Sequence, residues 1–234
     1  MAAFEAAVGQ GAVGIELDVR LAADRALVVH HDASLPDGSR IAKISSDELP
    51  DWVPTLTDAM AVAADVWLNI EIKNAPDDPD YDADQTVAHV VAELIAVHAA
   101  KSFEAASRAQ SGSSPIGTLA DHIADRVLVS SFNVDTVDKI RSIDPTIPTG
   151  LLVFGQADPS SLVDRATAHG AAAIHPHDLL VDRSFVEQAH AAGLAVNVWT
   201  VDDPARMVVL AEMGVDGLIT NDPQLAVETL KSST

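Results

Sequence analysis

Gly14-Ile15-Glu16-Leu17-Asp18-Val19-Arg20, followed after a short turn by Ala26-Leu27-Val28-Val29-His30-His31-Asp32, alternates polar and apolar residues with a period of two. In an extended strand that period puts Glu16 and Asp18 on one face and Ile15, Leu17 and Val19 on the other. The apolar set reads as core. Ala23-Asp24-Arg25-Ala26 carries the turn signal, and a hairpin closed about Asp24-Arg25 sets Asp18 opposite His31. Two acids brought this close repel unless a cation or a shared proton intervenes, so a hard metal ion is the natural occupant. Taken alone, the same piece also fits an amphipathic hairpin with a solvated polar face.

A second stretch, Trp67-Leu68-Asn69-Ile70-Glu71-Ile72-Lys73-Asn74, reads as a buried strand that nevertheless carries Glu71 and Lys73 two apart on a common face. Parallel barrels place charged residues at the C-terminal ends of their strands, where the active-site mouth lies. Glu71 then becomes a third carboxylate for the cation, and Lys73 a fixed positive charge for an anionic substrate. The alternative is a Glu/Lys pair that satisfies itself at a strand end.

Strand-like runs recur at 15–19, 68–72, 127–131, 150–154, 172–175, 196–201 and 217–220, separated by Ala-rich helical stretches at 85–99, 159–169, 184–192, 204–213 and 223–231. Such βα repetition predicts a parallel sheet, and the 234-residue length suits one (β/α)8 TIM barrel of roughly 250 residues. The expected fold is therefore α/β, a single domain over 1–234, with the His31 strand as the hairpin partner of the Glu16 strand. Ser/Gly-rich residues 111–114 read as a flexible loop.

Composition narrows the function. The hydrophobic fraction of 48% excludes a disordered chain, and no uninterrupted apolar run of about 18 residues predicts a membrane span. A net charge of -21 argues against nucleic-acid partners, which need a basic footprint. The same acidity also fits solubility or salt adaptation. With no cysteine, any metal must sit on oxygen or imidazole. The expected setting is cytoplasmic and without stable membrane insertion; self-association is left open.

Taken in order, GIELDVR, LVVHHD, WVPTL (52–56), LNIEIK, VLVSSFN (127–133), GLLVF (150–154), IHPH (174–177), VNVWTVDDP (196–204) and GVDGLITNDP (214–223) resemble the glycerophosphodiester phosphodiesterase family along nearly the whole chain. The resemblance implies metal-dependent hydrolysis of small-molecule glycerophosphodiesters to sn-glycerol 3-phosphate and an alcohol. Glu16, Asp18 and Glu71 match the family's metal-binding acids, and oxygen-only ligation points to Mg2+ or Ca2+. His31 matches an acid/base histidine, with His30 expected to be structural. Lys73 would contact phosphate, and Trp199 would wall the glycerol side unless it is simply core. His175 and His177 are expected to be satisfied structural histidines rather than mouth-lining ones.

The family's first strand, ending in His-Arg-Gly, and the Pro-Glu-Asn-Thr segment after it have no counterpart here. The chain opens in what reads as the first helix, Met1 to Ala7, as expected of an internal start or a truncation. A catalytically silent phosphodiester-binding barrel and a lysophospholipase D-type enzyme are the alternative functions.

Overall fold

The computed structural model describes residues 1–109, 126–155 and 158–232. The predicted loop at 111–114 lies outside them. Among them eight strands form one sheet: β1 (Gly14–Leu21), β2 (Leu27–Val29), β3 (Trp67–Ile72), β4 (Val127–Ser131), β5 (Thr149–Val153), β6 (Ala173–Pro176), β7 (Ala195–Val198) and β8 (Gly217–Leu218). The order is β2-β1-β3-β4-β5-β6-β7-β8. Every neighbouring pair is parallel except the β1–β2 hairpin. Among the described residues no ladder joins β8 to β1, so the sheet has the order of an open, incomplete TIM barrel.

Among the described residues eight helices accompany the strands: α1 (Ala2–Gly9), α2 (Leu56–Val62), α3 (Thr86–Ala109), α4 (Val134–Ile143), α5 (Pro159–Ala168), α6 (Arg183–Ala191), α7 (Pro204–Met213) and α8 (Pro223–Ser232). Their starts are written in the sequence. Thr55 and Asp58 make a reciprocal capping box at α2, and Asn133, Asp158, Asp182 and Asp203 each accept a backbone N–H at the start of a helix. Pro159 and Pro204 then occupy a first-turn position, where the missing N–H costs nothing.

The core lies between sheet and helices in two main clusters. Ile15, Leu17, Val19, Leu68, Ile70 and Ile72 pack with Leu56 and Met60 of α2 and with Val87, Val91 and Ile95 of α3. Leu151, Val153, Ile174, Val196 and Val198 pack with Leu162, Phe185, Met207 and Leu210. Because all odd positions of β1 and even positions of β3 face the helices, Glu16, Asp18, Asn69 and Glu71 face the other way, into the barrel interior. A third cluster of Ala22, Val28, Leu35, Ile41, Leu49 and Val53 anchors the loop after the hairpin.

The hairpin register differs from the expected one. The ladder pairs Val19 with Val29 and Leu21 with Leu27, and the His30 N–H donates to the Asp18 carbonyl at 3.0 Å, so Asp18 stands opposite His30 and not His31. The cause is the turn. Ala22 N–H donates to Ala26 O and Arg25 N–H to Ala22 O, which makes a three-residue loop of Ala23, Asp24 and Arg25. Arg25 takes φ 69°, the left-handed residue that such loops need.

No described helix is long and apolar enough to cross a membrane.

Candidate metal and phosphate site

The parallel register of β1 and β3 sets Glu16 beside Asn69 and Asp18 beside Glu71. Each of Glu16, Asp18 and Glu71 offers a carboxylate oxygen lying within 4.8 Å of the other two. Crowding and burial disfavour the charged forms of Glu16 and Glu71. Glu16 is pushed up to about 8, first by burial and then by the charges of Asp18 and Glu71. Glu71 is raised too, chiefly by burial, with Lys73 pulling the other way.

Lys73 follows β3 directly, with Nζ 3.0 Å from Asp18 Oδ1 and 2.5 Å from Glu71 Oε1. Burial alone would lower its pKa, but the Glu71 and Asp18 charges outweigh burial and hold the ammonium above its ordinary value. The sequence reading aimed Lys73 at an anionic substrate; here it is the countercharge of the acids, on the same face of the barrel. Its Nζ also lies 5.9 Å from the centre of the Phe132 ring. Glu16 gains no such partner: its Oε1 is buried without a hydrogen bond. Three carboxylates this close, with one lysine among them, are a donor set that suits a hard divalent cation.

β2 stops at Val29, and His31 lies in the bend beyond it. The His31 ring is 73% exposed, and its Nδ1 lies 2.8 Å from Asp32 Oδ1. That bond is the first cause holding the Asp32 carboxyl below its ordinary pKa. A charge on His31 also lowers the pKa of Glu71. His30 instead packs against Trp52, ring centres 5.7 Å apart.

Arg20 was missed as a site residue. It continues the Glu16, Asp18 face by another two positions, is 4% exposed, and donates from Nε (3.0 Å) and NH2 (2.8 Å) to the His31 carbonyl. Asp80 at 2.5 Å and Asp78 at 3.6 Å neutralise it. The guanidinium thus ties the chain at His31 to the loop after β3. Removing one partner of a buried ion pair is costly, about 3–5 kcal/mol. Arg20→Ala should therefore lower stability by several kcal/mol in urea denaturation, with Arg20→Lys intermediate because it cannot grip carbonyl and carboxylates together. Equal midpoints for Arg20→Ala and the wild type would show that this clamp contributes nothing.

Trp199, just past β7, donates from Nε1 to the His175 carbonyl at 2.7 Å. Its ring meets Phe132, Phe154 and His177 at centre distances of 5.6, 6.1 and 5.1 Å. Phe154 remains 64% exposed, so the group is an aromatic rim and not core. His177 belongs to this rim. His175 is wholly buried and lies inside the barrel; contrary to expectation it is not fully satisfied, because Nδ1 has no hydrogen-bond partner.

Comparison with known proteins accords with this geometry. Residues 1–225 match the sequence model of the glycerophosphoryl diester phosphodiesterase family. A glycerophosphodiester phosphodiesterase of Caldanaerobacter subterraneus subsp. tengcongensis is 27% identical over 252 aligned positions, covering 99% of this chain and 91% of the relative. A Parabacteroides distasonis glycerophosphodiester phosphodiesterase crystal structure superposes with a TM-score of 0.72 at 26% identity, covering 97% of this chain and 87% of that one. An Oleispira antarctica phosphodiesterase, solved in complex with its product sn-glycerol-3-phosphate, superposes with a TM-score of 0.76 at 24% identity, covering 98% and 90%. With the acidic trio gathered on the inner face of β1 and β3 and the family match running over residues 1–225, the chain belongs to the glycerophosphoryl diester phosphodiesterase family.

Proposed function

We propose that this chain hydrolyses glycerophosphodiesters to sn-glycerol 3-phosphate and an alcohol, using a divalent cation, Mg2+ or Ca2+, at Glu16, Asp18 and Glu71. The observation that carries the reading is the convergence of three carboxylate oxygens within 4.8 Å on the inner face of two adjacent parallel strands. A cation held there would supply positive charge for a non-bridging phosphate oxygen and acidify the attacking hydroxyl.

The chain's own groups supply the rest. His31 has Nδ1 engaged by Asp32, which leaves Nε2 as the atom that takes and returns a proton. Lys73 is already charged and lies beside Asp18 and Glu71, which would hold the cation; from there its ammonium would contact a phosphate oxygen. Trp199, braced by Phe132 and by its bond to the His175 carbonyl, forms a flat wall for the glycerol carbons. These local charges must overcome the net charge of -21, which repels a phosphodiester at long range.

Release of sn-glycerol 3-phosphate from glycerophosphocholine, measured with Mg2+, Ca2+ or chelator, tests the reading. Turnover should need the cation, and Asp18→Asn should lose both calorimetric cation binding and turnover. Cation binding without turnover on any glycerophosphodiester would favour the silent barrel. A lipid-bearing substrate is the second reading, favoured by the exposure of Phe154 and of Leu179, which is 87% exposed two residues from His177. Faster cleavage of lysophosphatidylcholine than of glycerophosphocholine would select it.

A further inference from the structure

Beside the acidic trio, the inner face of the sheet carries polar side chains where a barrel of this kind is ordinarily packed with branched aliphatic ones. Five of their buried atoms have no hydrogen-bond partner: Glu16 Oε1, Asn69 Nδ2 and Oδ1, Ser130 Oγ and His175 Nδ1. Thr149 Oγ1 is also unpartnered, but its register with Val129 places it on the helix side.

The five atoms border one region. Asn69 is the ladder neighbour of Glu16, and Ser130 is the ladder neighbour of both Glu71 and Gly150. The His175 ring lies over Gly150, so closely that a Cβ there would stand 2.7 Å from its Nε2. Gly217 makes room in the same way for Asn197, whose Oδ1 would be 2.5 Å from an added Cβ. Glycine at 150 and 217 thus lets two polar side chains fold inward. Asn197 Nδ2 sits 3.1 Å from His175 Nε2 and donates to it, so the ring proton is on Nδ1, the unpartnered atom. Burial, which holds the His175 pKa at about 4, keeps this ring neutral.

The chemistry of the set identifies its ligand. A cation would want acceptors only, and an anion donors only. Here His175 Nδ1–H and the Asn69 amide nitrogen donate, Glu16 Oε1 and Asn69 Oδ1 accept, and Ser130 does either. A small molecule that both donates and accepts two hydrogen bonds satisfies all of them, and buried polar groups without protein partners are routinely satisfied by internal water.

We propose that the barrel interior holds a cluster of bound water on Asn69, Ser130 and His175, and that this cluster fixes the inner oxygen of Glu16 so that its outer oxygen faces the cation. The positioning role rests on the cation reading above; the water site does not. Groups that orient a metal ligand from behind affect affinity by about 10–100-fold when removed.

Water-17O relaxation dispersion on the full chain should detect slowly exchanging internal water, and high-resolution diffraction should place it within hydrogen-bond distance of His175 Nδ1. His175→Leu and Asn69→Leu should each lose part of that signal. Asn69→Leu should weaken Ca2+ binding about tenfold by calorimetry, and Asn69→Ser, which keeps a polar group, should recover most of the affinity and guards against a folding defect in the leucine variant. An interior without slowly exchanging water would overturn the proposal. Wild-type Ca2+ affinity in a folded Asn69→Leu would overturn the positioning role. Should the wild type bind no divalent cation, the functional reading and the positioning role fail together, while slowly exchanging water on His175 would still support the site.

Discussion

Glu16→Gln raises the melting temperature of the chelator-treated protein at about pH 9 and leaves it nearly unchanged at about pH 5. The sign follows from the direction of the shift. Glu16 is raised from 4.5 to about 8 in the folded chain, so between those values the folded state binds more protons than the unfolded one. Stability therefore falls as pH rises through that window and stays low above it. Glutamine carries no charge at any pH and escapes the loss. One pKa unit is worth about 1.4 kcal/mol, so the gain at the alkaline end is on the order of a few kcal/mol, or roughly 5–10 °C for a chain of this size. The same substitution should abolish divalent-cation binding, because it removes the one trio acid that Lys73 does not already contact. A cation added to the wild type should displace the Glu16 proton and erase most of the pH slope. Parallel melting curves for the two proteins across the window would refute the buried-acid account.

That opposition between stability and ligation was partly legible in the sequence. Period-two alternation in β1 and β3 is enough to put Glu16, Asp18 and Glu71 on one face, because helix-facing Ile and Leu residues leave no other orientation. The parallel ladder then has to bring them together. What alternation does not determine is where a turn closes. A two-residue turn at Asp24-Arg25 and a three-residue loop ending in left-handed Arg25 differ by one residue, and one residue changes every cross-strand pair. Arg20 was within reach as the third polar residue of the Glu16, Asp18 series; its partners Asp78 and Asp80, some sixty residues away, were not. The inward turn of His175 depends on the glycine at 150, and that of Asn197 on the glycine at 217, each on a neighbouring strand, a complementarity that no local pattern carries.

His31→Ala should lower kcat on glycerophosphocholine by on the order of 10² to 10⁴, while His30→Ala should cost far less. Cross-strand register alone would favour the opposite ranking, since it is His30 that faces Asp18 in the ladder. The ladder ends at Val29, however, and beyond it the chain is directed by side chains. Arg20 holds the His31 carbonyl, Asp32 engages His31 Nδ1, and the His31 charge is felt at Glu71. His30 is turned aside onto Trp52, with its Nδ1 on the Asp32 carbonyl. The His31 loss should appear in kcat with KM little changed, since proton transfer is completed only in the transition state. His30→Ala, by freeing Trp52, should act mainly on stability. Asp32→Asn should fall between the two, because it keeps a hydrogen-bond partner for Nδ1 but orients the ring less firmly than the carboxylate does. If His30→Ala proves the more damaging to kcat, the proton is handled within the ladder opposite Asp18, and the clamp formed by Arg20 serves the fold alone.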